Sequence, residues 1–198
     1  MLKDILKEYN IILASGSPRR QQFFKDLDLD FKIQLREINE VYPDHLKAEE
    51  ISDYLAELKS KAFTDLNPKD LLITSDTIVW HNNKALGKPR DTNEAKEMIA
   101  SLSNDTHKVI TSVCFKMGNE IRVLHDITEV TFKKLNQKEI EYYVNTHKPL
   151  DKAGAYGIQE WIGFIGISNI KGSYFNVMGL PTHIVYQTLI DIAVNKNI

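Results

Sequence analysis

Leu13-Ala14-Ser15-Gly16-Ser17-Pro18-Arg19-Arg20 follows an apolar run, Ile11 to Leu13, and precedes the helical spacing of Phe23, Phe24 and Leu27. The stretch reads as a strand, a turn of small residues and a helix. Pro18 suits the first helical position, where a missing N–H loses no partner. Ser17 is placed to cap the same helix. A helix start behind a small turn, carrying two adjacent guanidiniums, suits a polyphosphate. The same residues would also serve an ordinary capped surface helix. What decides between the two is whatever else in the chain can meet a phosphate.

Outward from that stretch, strands and helices interleave. Phe31 to Ile38 alternates like a strand, and Ile51, Tyr54, Leu55, Leu58, Ala62 and Leu66 share one face of a long helix. Leu71 to Thr74 reads as a buried strand, with Thr77 to Trp80 as its continuation or partner and a turn at Asn82-Asn83. Thr92 to Ser103 reads as a helix capped by Thr92, and Val109 to Met117 with Ile121 to Phe132 as a hairpin around Gly118-Asn119. Asn136 to Val144 is a helix whose Asn136 and Glu139 imitate a capping box. Trp161 to Ile167 is expected to be a strand, and Thr182 to Val194 a last helix. Parallel-type crossovers mixed with hairpins predict an α/β domain on a mixed sheet.

With 198 residues the chain supports one sizeable core, so a single domain over 1–198 is expected. A net charge of −2 gives no general surface for nucleic acid or membrane, so any anion site must come from local clusters. Cys114 is the lone cysteine, which points to a reducing, cytoplasmic setting. Met1 to Asn10 carries Asp4 and Glu8 and does not read as a signal peptide, and Trp161 to Ile167 is too short to span a bilayer.

Four further segments could meet a phosphorylated ligand: Ser75-Asp76-Thr77, Gly87-Lys88-Pro89-Arg90-Asp91, and two glycine-containing loops, Pro149 to Gln159 and Gly172 to Pro181. Other chemistries fit poorly. Asn82 and Pro89 stand where a Walker A loop needs glycine and a hydroxyl, and no Gly-x-Gly-x-x-Gly occurs. Ser15 and Ser17 lack a nucleophile elbow, and the six histidines lack zinc-ligand spacing.

Together these pieces resemble the Maf family of nucleoside triphosphate pyrophosphatases. Ser-x-Ser-Pro-Arg-Arg, Ser-Asp-Thr, Gly-Lys-Pro, Asp-Lys-Ala-Gly-Ala-Tyr-Gly-Ile-Gln and Gly-Ser-Tyr-x-Asn-Val-x-Gly-Leu-Pro appear in family order between Leu13 and Pro181. The resemblance implies a two-lobed mixed α/β fold with the active cleft between the lobes. It implies hydrolysis of a nucleoside triphosphate to monophosphate and pyrophosphate with a divalent cation of the Mg or Mn type. Asp76 matches the catalytic carboxylate, either accepting the water proton or holding the metal. Arg19, Thr77 and Gln159 match positions that set base specificity. Ser15, Arg20, Lys59 and Lys88 match the polar and basic lining of the triphosphate site, and Glu40 matches an acidic residue that could help hold the metal. Ser60 stands where the family usually has alanine, and Trp80 and Glu160-Trp161-Ile162 also depart from the pattern.

The combination Arg19, Thr77 and Gln159 resembles the branch acting on dTTP and UTP, in a house-cleaning role toward normal or modified nucleotides. The 7-methyl-GTP branch has Trp for the first arginine and an acid after the catalytic Asp, which suits a cationic ring. A neutral uracil or thymine edge offers carbonyls and one N–H, which both ends of the Gln159 amide can meet. The rival expectation is a non-catalytic cell-division inhibitor acting in septum formation through a protein partner. A homodimer is compatible with either.

Overall fold

Continuous apolar runs make the first strands of the fold. Ile11, Ile12 and Leu13, and Leu71, Leu72 and Ile73, are all buried, as in parallel strands covered on both faces. The computed structural model describes residues 1–196 and 198. Its elements are α1 (Leu2–Ile5), β1 (Asn10–Leu13), α2 (Pro18–Asp26), β2 (Phe31–Ile33), α3 (Glu49–Lys61), β3 (Asp70–His81), β4 (Lys84–Leu86) and α4 (Thr92–Leu102). There follow β5 (Thr106–Met117), β6 (Glu120–Phe132), α5 (Gln137–His147), one tight helical turn at Ala153–Ala155, α6 (Trp161–Gly166), β7 (Ile167–Lys171), α7 (Tyr174–Val177) and α8 (Thr182–Asn195).

The strands hydrogen-bond in the order β2-β1-β3-β5-β6-β7, with β4 on β3. β1 runs parallel to β2 and β3, whereas β4 and β7 run antiparallel to β3 and β6. The mixed α/β sheet expected from the sequence is therefore present. No described helix is long and apolar enough to cross a membrane.

The chain forms two compact units. The first comprises Met1–Asp76, Thr111–Asp126 and Gly179–Ile198; the second comprises Thr77–Ile110 and Ile127–Met178. In the first, Ile12, Phe63 and Leu72 pack with Ala14, Ala62 and Leu66. In the second, Val79, Ile99, Phe132, Tyr143 and Ile162 belong to one larger core. Gly154 adopts φ 67°, and a Cβ there would stand 2.8 Å from a methyl of Val79, so glycine is required by both backbone and space.

Several sequence expectations need correction. Trp161 to Ile167 is not a strand but α6 followed by the start of β7. Period-two burial would place Ile162 and Phe164 on one face, yet Ile162 is fully buried and Phe164 is 78% exposed. Gly163 permits the helix to lie against the Ile158 carbonyl, which a Cβ would meet at 1.9 Å. The strand beginning at Phe31 stops at Ile33, and the helix through Leu58 ends at Lys61, short of Leu66. α4 is capped by Asp91, which accepts from the Asn93 and Glu94 N–H groups, rather than by Thr92. β3 is one continuous strand, and the turn after it has both Asn82 and Asn83 at positive φ, the hairpin geometry that asparagine tolerates. The capping box of Asn136 and Glu139 is formed as read.

Candidate active site

The stretch from Leu13 to Arg20 folds as the end of β1, a turn and the start of α2, with Pro18 in the first turn of the helix. Ser17 occupies the cap position, but its hydroxyl makes no capping hydrogen bond, contrary to the expectation. Its N–H instead donates to Ser15 Oγ at 3.3 Å, and Gln21 Nε2 donates to the Ser15 carbonyl at 3.1 Å. The loop is thus curled back on α2 by Ser15, which is buried. The first turn of α2 has no side-chain cap from Ser17 and no acidic residue, so the positive end of its dipole is not offset there by a carboxylate.

Arg20 braces this part of the first unit. Its Nε donates to the Gly179 carbonyl at 2.7 Å and Nη1 to the Ser75 carbonyl at 2.9 Å. Burial lowers its pKa and the neighbouring Asp76 opposes that shift, but a guanidinium remains charged throughout. Arg19 precedes it in the first turn of α2, half-buried.

Asp76 ends the first unit's part of β3 and is only 7% exposed. Lys59 Nζ, from the last turn of α3, lies 2.5 Å from Asp76 Oδ1 and 3.4 Å from Glu40 Oε2. One ammonium therefore serves two carboxylates. Burial raises the Asp76 pKa above the usual carboxylate range. Lys59 and Arg20 pull it down, and Glu40 adds to the rise. Such a carboxylate is a better proton acceptor than a solvated one.

Two residues that sequence reasoning did not single out hold this pair in place. Thr74 Oγ1 donates to the Ala56 carbonyl at 2.6 Å, tying β3 to α3 one turn before Lys59. Lys116 Nζ donates to the Ser60 and Phe63 carbonyls at 3.2 and 2.8 Å, finishing the C-terminal end of α3 with a cation. A buried lysine inside the apolar alternation of β5 was the available signal. Ser60, the departure from the family pattern, donates to the Glu57 carbonyl within its own helix.

The structure thus brings Ser15, Arg19, Arg20, Glu40, Lys59 and Asp76 into the first unit. Thr77, Lys88 and Gln159 belong to the second. There Gly87 accepts from the Gly154 N–H at 3.0 Å, joining the Gly-Lys-Pro turn to the glycine loop. Lys88 is exposed, while Arg90 beside it is tied to Glu94 Oε2 at 2.9 Å. The Gly172 to Pro181 loop is fixed by Asn176, whose Nδ2 donates to the Val109 carbonyl and to Thr128 Oγ1. Thr128 Oγ1 also accepts from the Ser173 N–H at 3.0 Å.

Among the described residues no group of three or more His, Cys, Asp or Glu is arranged to hold a metal ion. Asp76 and Glu40, gathered about Lys59, are a two-carboxylate oxygen set. That number suits Mg²⁺ or Mn²⁺, which take one or two carboxylates and complete their shell with phosphate oxygens and water.

Comparison with known proteins identifies the family of the chain. The "Maf-like protein" family profile matches residues 10–192. The chain is 62% identical over 190 residues to the dTTP/UTP pyrophosphatase of Flavobacterium johnsoniae, covering 96% of this chain and 98% of that one. It is 60% identical over 190 residues to the dTTP/UTP pyrophosphatase of Christiangramia forsetii, covering 96% and 97%. Among solved structures, a HAM1 protein from Coxiella burnetii aligns with TM-score 0.50 at 16% identity, over 92% of this chain and 99% of that one, a likeness of fold alone. With a family match running nearly end to end and the motifs in their expected elements, the chain belongs to the Maf-like protein family.

Proposed function

We propose that the protein hydrolyses dTTP and UTP to the nucleoside monophosphate and pyrophosphate. The observation that carries this reading is the buried Asp76 carboxylate held by Lys59, in the same unit as Ser15, Arg19 and Arg20. The substrate follows from the relatives' activity together with Arg19, Thr77 and Gln159, the combination expected of the pyrimidine branch.

Water attacks the α-phosphorus, the bond from that phosphorus to the α–β bridging oxygen breaks, and pyrophosphate leaves. Asp76 takes the proton of the attacking water. Its raised pKa matches that task, because the base must keep the proton it takes from water. Ser15, Arg20, Lys59 and Lys88 are assigned to the phosphates, where fixed positive charge stabilises the loose transition state of phosphoryl transfer. Glu40, together with Asp76 in the alternative where that carboxylate is a ligand and not the base, would hold a divalent cation, which would neutralise triphosphate charge and acidify a bound water. Lys59 pairs with both carboxylates. We place the enzyme in the cytoplasm, where its single buried thiol, Cys114, stays reduced.

The test is pyrophosphate release across ATP, GTP, CTP, UTP, dTTP and 7-methyl-GTP. UTP and dTTP should lead CTP by about tenfold to a hundredfold in kcat/KM, because cytosine puts an amino donor where uracil has an acceptor. Equal values for CTP and UTP would overturn the base assignment. No turnover on any nucleotide would favour the partner-binding, septum-formation reading instead.

A further inference from the structure

The turn that carries Gln159 is clamped at both ends by one buried hydroxyl. Tyr143 of α5 is fully buried in the core of the second unit. Its hydroxyl accepts from the Gly157 N–H at 3.0 Å and donates to Glu160 Oε2. Glu160 closes the turn from the other side, its N–H donating to the Gly157 carbonyl at 3.0 Å. Lys152, itself buried, places its Nζ 3.1 Å from Glu160 Oε1. Gly157 permits the arrangement, since a Cβ there would stand 2.8 Å from the Glu160 carboxyl carbon. Between these fixed ends Gln159 is half-buried.

An amide that must meet both a carbonyl and an N–H on one ring edge needs its direction fixed to within about 10–20°. The side chain alone has three rotatable bonds, so the backbone beneath it has to be rigid. Burial and the Glu160 carboxylate push the Tyr143 phenol well above its ordinary pKa, so it remains a neutral donor across the working range. Glu160, an atypical residue in the family pattern, thereby supplies the acceptor that anchors the turn.

We propose that Tyr143, Glu160 and Lys152 form a positioning group for Gln159, setting the direction of its amide toward the pyrimidine edge. This rests on the reading of Gln159 as a base-specificity residue. The group touches no reacting atom, and its effect passes through the Gly157–Glu160 turn.

The experiment compares kcat and KM for UTP and CTP in Gln159→Ala, Tyr143→Phe, Glu160→Gln, Glu160→Ala and the double variant Tyr143→Phe/Gln159→Ala. Gln159→Ala should lower the UTP-over-CTP ratio of kcat/KM by about tenfold or more. Tyr143→Phe keeps the ring and should lower that ratio by about three- to tenfold, chiefly through KM for UTP. The double variant should match Gln159→Ala, because both changes act through one amide. Glu160→Gln, which retains an acceptor for the phenol, should keep most of the ratio that Glu160→Ala loses. Should Tyr143→Phe not fold, that Glu160 pair reads the same clamp from its half-buried end. A wild-type ratio in Tyr143→Phe and Glu160→Ala, with Gln159→Ala impaired, overturns the positioning role and leaves the base reading standing. Additive losses in the double variant overturn it as well. An unchanged ratio in Gln159→Ala removes the base reading, and the positioning role falls with it.

Discussion

The two units of this protein hold their polar groups by different means. In the first, charge is held by charge: Lys59 stands between Asp76 and Glu40, and Arg20 is braced by two carbonyls beside them. In the second, buried neutral hydroxyls make the central contacts, with the Lys152–Glu160 ion pair behind one of them. The Tyr143 phenol fixes the Gln159 turn, and His107 shares its Nε2 with the Tyr156 hydroxyl at 2.7 Å. Burial drives His107 down to about 3 and the Tyr156 phenol far up, so both stay uncharged near neutrality. Charges suit the handling of phosphates, whose recognition is strong and tolerant of small displacements. Neutral hydrogen bonds suit the reading of a base edge, where a mispaired donor is penalised more than a matched one is rewarded.

The largest expected effect breaks the charged half. Asp76→Asn should lower kcat by about 10²–10⁴-fold, the usual weight of a general base, with KM little changed. The fold should persist in circular dichroism, because Lys59 keeps Glu40 as a partner at 3.4 Å. Retained activity would remove Asp76 from the chemistry.

Removing the ammonium should be felt as a pH shift. Lys59 pulls the Asp76 pKa down, so Lys59→Met should raise it further and move the acid limb of kcat/KM to higher pH. Stability carries the same sign. A carboxylate with a raised folded pKa costs the folded state when ionised, so the variant should be destabilised at neutral pH and recover as pH falls and Asp76 protonates. Denaturant midpoints at pH 7 and 5 check this, and a parallel loss at both would contradict it.

A smaller effect sharpens the neutral half. His107 titrates near 6.5 when unfolded and near 3 when folded, so the unfolded chain binds the extra proton between these values. Its contribution to stability is complete above pH 6.5 and is lost as pH falls, at up to about 1.4 kcal/mol per pH unit. His107→Gln keeps a polar partner for Tyr156 without the titration. Urea denaturation from pH 7 to 4 should be flatter for the variant than for the parent.

Much of this arrangement was legible in the sequence because it is local. The β1–turn–α2 stretch, the Asn136–Glu139 capping box and the Gly118-Asn119 hairpin depend on neighbours within a few residues. The apolar run at Trp161 misled because Gly163 and the fully buried Ile162 satisfy a helix only against the Ile158 carbonyl and the core around them. Partner choice was also hidden. Lys59 and Asp76 lie 17 positions apart, and spacing alone cannot say which acid an exposed-looking lysine will meet. Tyr143 sits at an inward position of an amphipathic helix, where a tyrosine reads as core and its hydroxyl gives no sign of what it ties.

The most direct test of the central claim is hydrolysis of dTTP in ¹⁸O-labelled water, with both products resolved by mass. Attack of the Asp76-activated water at the α-phosphorus places one labelled oxygen in dTMP and none in pyrophosphate. Label in pyrophosphate, or release of dTDP and phosphate, would contradict it.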